Sequence, residues 1–143
     1  ELNKFYNSYP VNLSIHKSLG RYIYHGLLSL AINNDYKVAC VGNSSSGIKE
    51  TPAFGCPTVN IGSRQHARLR ADNVIDTSYN EDEISKAIDD CFNNLSFRNK
   101  SFNCKNPYGI GEAGKKIADI ISKIPLDNNM LRKKHPLLKK DMI

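Results

Sequence analysis

The sequence predicts an α/β fold built on a parallel sheet, and three observations carry that reading. Two short apolar runs, residues 38–41 (VACV) and 58–61 (TVNI), each end in a polar turn containing glycine and serine. A short helical stretch lies between them, so strand, turn, helix, strand and turn follow in order. Amphipathic stretches at 22–32, 81–92 and 113–124 flank this unit, and alternation of strand and helix is the mark of a layered parallel domain. The expected architecture is a three-layer, Rossmann-like domain. Four strands are few for such a fold, which points to an opening strand or two upstream and to a chain cut from something longer.

Along the chain, residues 1–10 read as an incoming helix end or loop closed by Pro10. Val11, Leu13 and Ile15 alternate, which predicts a strand over 11–17. Ser18, Leu19 and Gly20 form a turn. Residues 22–32 follow as a helix with Ile23, Leu27, Leu30 and Ala31 at helical spacing, broken by Asn33, Asn34 and Asp35. After the strand at 38–41, residues 47–54 make a short helix ended by Gly55, in which Pro52 fits only near the start or at a kink. Strands at 58–61 and 73–75 come next. Asp82 and Glu83 put negative charge in the first turn of a helix over 81–92, where the helix dipole favours it, and Ile84, Ala87, Ile88 and Phe92 give it an apolar stripe. Residues 93–106 are polar and Asn-rich and are expected to be loop. The last helix, 113–124, carries Ile117, Ile120, Ile121 and Ile124 and is stopped by Pro125. There is no internal repeat.

Composition narrows the class. The chain has 143 residues, 40% hydrophobic and 24% charged, which is ordinary for a globular domain. No apolar run approaches the roughly 20 residues of a membrane helix. The net charge of +6 is concentrated in the tail, where Arg132, Lys133, Lys134, Lys139 and Lys140 stand against Asp141. That tail has no aromatic interleaving to stack bases, so it reads as a solvated end, and neither nucleic acid nor membrane is expected as a partner. Cys40, Cys56, Cys91 and Cys104 form no CxxC pair, and His16, His25, His66 and His135 show no ligand spacing, so no metal site is expected. With no cysteine framework and no signal sequence, the expected compartment is a reducing cytoplasm.

The turn Gly42-Asn43-Ser44-Ser45-Ser46-Gly47 is the main site candidate. In open parallel sheets, ligands sit outside the carboxyl ends of the strands. A turn there leading into a helix offers backbone N–H groups and hydroxyls to a phosphate. One serine would suffice as a helix cap; three in a row make anion binding an equal reading. Glu50, about one turn further on, suits a ribose cis-diol, because a carboxylate accepts two hydrogen bonds; it equally suits the start of a helix. Arg64, beyond the next strand, is within reach of a phosphate or of Glu50, or is a plain surface arginine. Three other patterns fail. The run Gly109-Ile110-Gly111-Glu112-Ala113-Gly114 matches G-x-G-x-x-G but follows a polar loop, not a strand. The Gly42–Gly47 turn has no Walker lysine, and Ser46 stands where a nucleophile elbow needs glycine.

At GNSSSGIKE (42–50), PTVNIGSRQ (57–65), RLRADNVID (68–76) and NPYGIG (106–111), with KSLG at 17–20, the sequence resembles the hydrolysing UDP-N-acetylglucosamine 2-epimerases. These include the bacterial enzymes that open sialic and legionaminic acid synthesis. The resemblance spans roughly residues 11–124. It implies a pair of Rossmann-like domains of the glycosyltransferase-B type, with a UDP-sugar in the cleft between them. Residues 1–124 would be part of the second, nucleotide-sugar-binding domain. Residues 125–143 would be a basic tail or a helix crossing back toward a missing N-terminal domain. On the matched positions, Ser44 and Ser45 would hold the UDP phosphates, Glu50 the ribose hydroxyls and Arg64 the nucleotide-sugar, with the Leu19-Gly20 turn beside the uracil. No cofactor is implied, and the intact enzyme would be a homo-oligomer.

Two departures matter. His66-Ala67 replaces a more usual Lys-Gly or similar pair. The family's acid–base carboxylates come from the first domain, and a histidine near the start of the second contributes; His16 does not stand at that place. No catalytic residue is therefore assigned to this chain. Two other classes compete: the nucleotide-binding half of a UDP-sugar glycosyltransferase, and a non-enzymatic module binding a nucleotide-sugar or nucleic acid. A sugar-transfer assay separates the first, and steeply salt-dependent DNA affinity without an effect of UDP would mark the nucleic-acid reading.

Overall fold

In the computed structural model, residues 13–33, 35–109, 111–125 and 127 are described. The chain divides into two compact units, Glu1–Tyr108 and Gly109–Ile143. In the first, the elements run α1 (Gly20–Ser29), a 3-10 turn (Leu30–Ile32), β1 (Cys40–Gly42), α2 (Ser46–Lys49), a second 3-10 turn (Thr51–Phe54), β2 (Thr58–Ile61), β3 (Val74–Thr77), α3 (Glu81–Asn93) and α4 (Leu95–Phe102). The fold is α/β, as the alternation predicted.

The sheet is parallel, in the order β1-β2-β3. Cys40 pairs with Thr58 and Gly42 with Asn60; Thr58 pairs with Val74 and Ile61 with Thr77. Alternation of side chains along β2 sorts the layers. Val59 is fully buried and packs with Ala87 and Cys91 of α3, while Ile61, Ile75, Ile88 and Phe92 complete that core. Thr58 faces the other way: a Cβ added at Gly47 would lie 3.1 Å from the Thr58 Cγ2 and 3.7 Å from the Cys40 Sγ. So α2 covers one face of the sheet and α3 the other.

The second face is polar and hydrogen-bonded through Thr51, though the buried side-chain oxygens of Asn60 and Asn73 have no hydrogen-bond partner among the described residues. The Thr51 hydroxyl, with Thr51 fully buried, donates to the Gly47 carbonyl (2.7 Å) and accepts from Thr58 (2.9 Å) and from the Asn73 amide (2.9 Å). Asn73 also donates to the Cys56 carbonyl at 2.7 Å. This knot ties α2, β2 and the approach to β3 together. Gly55 closes the 3-10 turn in the left-handed region (φ 56°), and its missing side chain leaves room for Phe102, whose Cα would sit 2.9 Å from a Cβ there.

Two expectations are corrected. A strand was predicted over 11–17. Residues 11 and 12 lie outside the described residues, and 13–17 are irregular, with Ile15 exposed. Alternation specifies two faces but supplies no ladder partner, and among the described residues no strand pairs with 13–17. The described sheet thus has three strands where four were expected. Residues 93–106 were predicted as loop, yet 95–102 form α4. Asn94 starts it, its side chain accepting from the Phe97 N–H at 3.1 Å. The helix shows no apolar periodicity; its cap starts it, and Phe97 packs against the core while Phe102 meets Gly55.

The face of α1 also differs from expectation. Leu28 is its buried residue, with Tyr24 and His25 half-buried, whereas Ile23, Leu27 and Leu30 are exposed. In the second unit, α5 (Ala113–Ile121) carries Ile117, Ile120 and Ile121, with a Lys116–Glu112 pair at 3.8 Å, and ends before Pro125. The segment before it is irregular rather than a strand, in keeping with a false glycine-rich match. The basic tail and its reading as a crossing helix lie outside the described residues.

Candidate functional site

The first unit holds a cavity of about 730 Å³ beside the carboxyl end of β1. Cys40 and Val41 of β1, Ser44 from the following turn, Ser46 and Glu50 around α2, and Ser18, Leu19, Gly20, Arg21, Tyr24 and His25 at the start of α1 line it. A cleft at a strand end, next to a polar turn, follows from parallel sheet geometry. Gly20 allows α1 to begin there with φ 66°.

Of the residues predicted from sequence, Leu19, Ser44 and Glu50 come together in this cavity. Ser45 and Arg64 are not among its lining residues. Ser45 is the exposed residue at the start of α2, and its side chain makes no capping bond. Capping falls instead to Ser44, whose hydroxyl accepts from the Ser46 N–H at 3.3 Å. Arg64 leans on Asn43, its Nη1 lying 3.4 Å from both the carbonyl and the side-chain oxygen. Beside it the buried Gln65 donates to the same carbonyl at 2.7 Å, so the turns after β1 and β2 are joined through Asn43.

Glu50 is paired with His25, not with Arg64: His25 Nε2 and Glu50 Oε2 are 2.8 Å apart. The His25 ring packs against Phe54 at 5.0 Å between centroids. Its neighbour Tyr24 makes a 2.6 Å hydrogen bond between its hydroxyl and that of Ser46, and lies 3.8 Å from the Cys40 thiol. Burial pushes the Tyr24 phenol up to about 12, and the Ser46 hydrogen bond offsets this only in part. Burial also raises the Cys40 thiol, against a smaller lowering by Tyr24, so the site holds no thiolate nucleophile at neutral pH.

Sequence reasoning did not find Arg21, Tyr24 or His25. Their signal was the spacing i, i+3, i+4, which puts three polar side chains on one face of α1, while attention fell on the apolar residues between them. At the β2 turn, Ala67 holds φ 62°, the left-handed region that glycine adopts freely. That is the position where the resemblance pointed to a more usual glycine. Behind that turn, the segment with Asn106 and Tyr108 is fastened down: the Asn106 amide donates to the Lys49 carbonyl (3.2 Å) and the Tyr108 hydroxyl to that of Leu69 (3.1 Å). Among the described residues no group of three or more His, Cys, Asp or Glu is placed to hold a metal, and no helix is long and apolar enough to cross a membrane.

A parallel sheet with a polar-lipped cavity at its carboxyl edge is the arrangement in which α/β domains take up ligands. The family is resolved by comparison: the model of the UDP-N-acetylglucosamine 2-epimerase family matches residues 1–122, and the chain belongs to that family. Among curated relatives, the UDP-N,N'-diacetylbacillosamine 2-epimerase (hydrolyzing) of Legionella pneumophila is 39% identical over 93 residues, 65% of this chain and 23% of that protein. The GDP/UDP-N,N'-diacetylbacillosamine 2-epimerase (hydrolyzing) of Campylobacter jejuni is 45% identical over 64 residues, 45% of this chain and 15% of that protein. The UDP-N-acetylglucosamine 2-epimerase of Neisseria meningitidis is 44% identical over 48 residues, 34% of this chain and 13% of that protein. The aligned stretches thus cover less than a quarter of each relative.

Proposed function

We propose that this chain is the UDP-holding part of a hydrolysing UDP-sugar 2-epimerase. The carrying observation is that Ser44 and Glu50 of the strand-end motif and Leu19, 25 residues before Ser44, line one cavity of about 730 Å³ at the carboxyl edge of the sheet. Family membership and the hydrolysing relatives support the same reading. The substrate class is a UDP-linked 2-acetamido sugar, and the relatives' names span N-acetylglucosamine and diacetylbacillosamine.

In this reaction C2 of the sugar loses a proton, and the electron pair left behind forms a C1–C2 double bond. The C1–O bond breaks, and UDP leaves with its electrons. Water then adds to C1 and a proton to the opposite face of C2, which gives the 2-epimeric free sugar. Negative charge grows on the diphosphate as C1–O breaks, so donors already aimed at it lower the barrier. The hydroxyls of Ser44 and Ser45 are assigned to those phosphates, and Arg64, turned from Asn43, adds a positive charge. Glu50 accepts from the ribose hydroxyls, and Leu19 packs beside the uracil. The acid–base groups belong to a first domain outside this chain, and the intact enzyme is a cytoplasmic homo-oligomer.

Calorimetric titration with UDP tests the proposal, beside Ser45→Ala and Glu50→Ala. Binding weakened in both variants supports it. Absence of UDP binding by the folded chain, and also by a longer form carrying both domains, sinks it. In that longer form, release of free 2-epimeric sugar and UDP from the UDP-sugar distinguishes hydrolysing epimerisation from sugar transfer.

A further inference from the structure

We infer that His25 is a positioning residue for Glu50, and that through it the site reads the ribose of the nucleotide. The inference rests on the proposal that Glu50 meets the ribose hydroxyls. Its own observation is the 2.8 Å contact of His25 Nε2 with Glu50 Oε2, between side chains 34% and 45% exposed.

Glu50 needs such a partner. It sits at the end of the four-residue α2 and at the start of a 3-10 turn, so little regular structure lies on either side of it. A half-exposed glutamate on so short an element would sample several rotamers, and fixing one on ligand binding costs affinity. His25 fixes it beforehand. A carboxylate only accepts hydrogen bonds, so Nε2 carries the proton. With Oε2 engaged by His25, Oε1 is the oxygen turned to the ligand's hydroxyls.

The histidine is itself held from two sides. Its ring lies against Phe54 at 5.0 Å, and the preceding Tyr24 is bonded to Ser46 at 2.6 Å. Ser46 and Glu50 are four residues apart, at the two ends of α2. Tyr24 and His25, adjacent on α1, therefore grip both ends of the short helix. From below, the Asn106 amide holds the Lys49 carbonyl, next to Glu50. The carboxylate is fixed by contacts from α1 and from the segment after α4, not by its own helix.

The test uses the full chain, with UDP and 2′,3′-dideoxyuridine 5′-diphosphate titrated by calorimetry. His25→Phe keeps a ring against Phe54 and removes the N–H. His25→Gln restores an N–H at similar reach. A hydrogen bond to a charged group is worth about tenfold in affinity, so the unsubstituted chain prefers UDP over the dideoxy nucleotide by about that factor or more. His25→Phe is expected to lose most of this preference while binding the dideoxy nucleotide unchanged. His25→Gln is expected to keep it. On a Glu50→Ala background, which removes both acceptor oxygens and with them the preference, His25→Phe is expected to add nothing.

Equal weakening of both ligands by His25→Phe would overturn the inference, since His25 would then act on the fold or the base. So would a preference untouched by that substitution. If instead Glu50→Ala keeps the full preference, the ribose assignment of Glu50 fails first and takes the role of His25 with it.

Discussion

Replacing Thr51 by valine tests whether the polar knot behind the site holds the fold. The two side chains have nearly the same shape, but valine sets a methyl in place of the hydroxyl, so the change removes its hydrogen bonds and crowds their partners. In this protein that hydroxyl makes three hydrogen bonds at a fully buried position: to the Gly47 carbonyl at 2.7 Å, and from Thr58 and Asn73 at 2.9 Å each. The three partners are not equally hurt. Thr58 keeps the Cys56 carbonyl at 3.2 Å, and Asn73 keeps the same carbonyl at 2.7 Å. The Gly47 carbonyl loses its hydroxyl partner. One poorly satisfied buried acceptor and two weakened donors sum to about 2–4 kcal/mol. With a urea m-value of about 2 kcal/mol per molar, the unfolding midpoint should fall by roughly 1–2 M at unchanged slope. Thr51→Ser keeps the hydroxyl and loses one methyl, so it should cost only about 1 kcal/mol. A valine variant with the midpoint of the unsubstituted chain, or a serine variant as unstable as valine, would refute this account of the knot.

Three further outcomes follow from local physics. Ala67→Gly should stabilise the protein by about 1 kcal/mol, read by urea midpoint, because alanine at φ 62° bears the left-handed penalty that glycine escapes. Burial alone would raise the Asp76 carboxyl, but hydrogen bonds from Arg70 and Asn60 outweigh it and leave its pKa below the ordinary 3.8. A depressed folded value means that its stabilisation is full above that pH and is lost as pH falls through the folded pKa. Asp76→Asn should therefore narrow the difference in urea midpoint between pH 7 and pH 3. Tyr24 is raised from 10.0 to about 12, chiefly by burial, so its stabilisation is full below pH 10.0 and disappears as pH rises through about 12. The phenolate absorbance titration should lose one late step in Tyr24→Phe.

Local pattern served well where one stretch held the whole signal. The strand predicted at 58–61 is β2, and the helix predicted at 81–92 is Glu81–Asn93. In that helix the acidic first turn, the Asn80 cap accepting from the Glu83 N–H and the apolar stripe all agree. Pattern failed where the deciding term lay elsewhere in the chain. The alternation at 11–17 is real, but a strand exists only with a partner. At 95–102 the opposite holds: no stripe announces a helix, and what starts it is the Asn94 cap directly after α3. In α1 the period was right and the face was wrong. The residues turned toward the rest of the unit are Tyr24, His25 and Leu28, and two of these are polar enough to be read as surface.

That error and the incomplete reading of the site have one cause. As candidates, Ser44, Ser45 and Glu50 are legible because they lie in one short motif after a strand, and of the three Ser44 and Glu50 line the cavity. What holds the two ends of α2 is not legible there, because it comes from side chains 22 and 25 residues earlier, Tyr24 to Ser46 and His25 to Glu50. Polar residues on the inner face of a helix look like a flaw in its amphipathicity until their partners are known. Here the flaw is the contact surface: α1 turns its hydroxyl and imidazole toward a helix too short to orient its own ends. If the proposed assignments hold, the site divides labour between a strand-end turn that supplies the binding groups and a distant helix that sets the direction of Glu50. On the proposed reading, substitutions in the turn change whether the nucleotide binds, and substitutions at Tyr24 or His25 change which nucleotide is preferred.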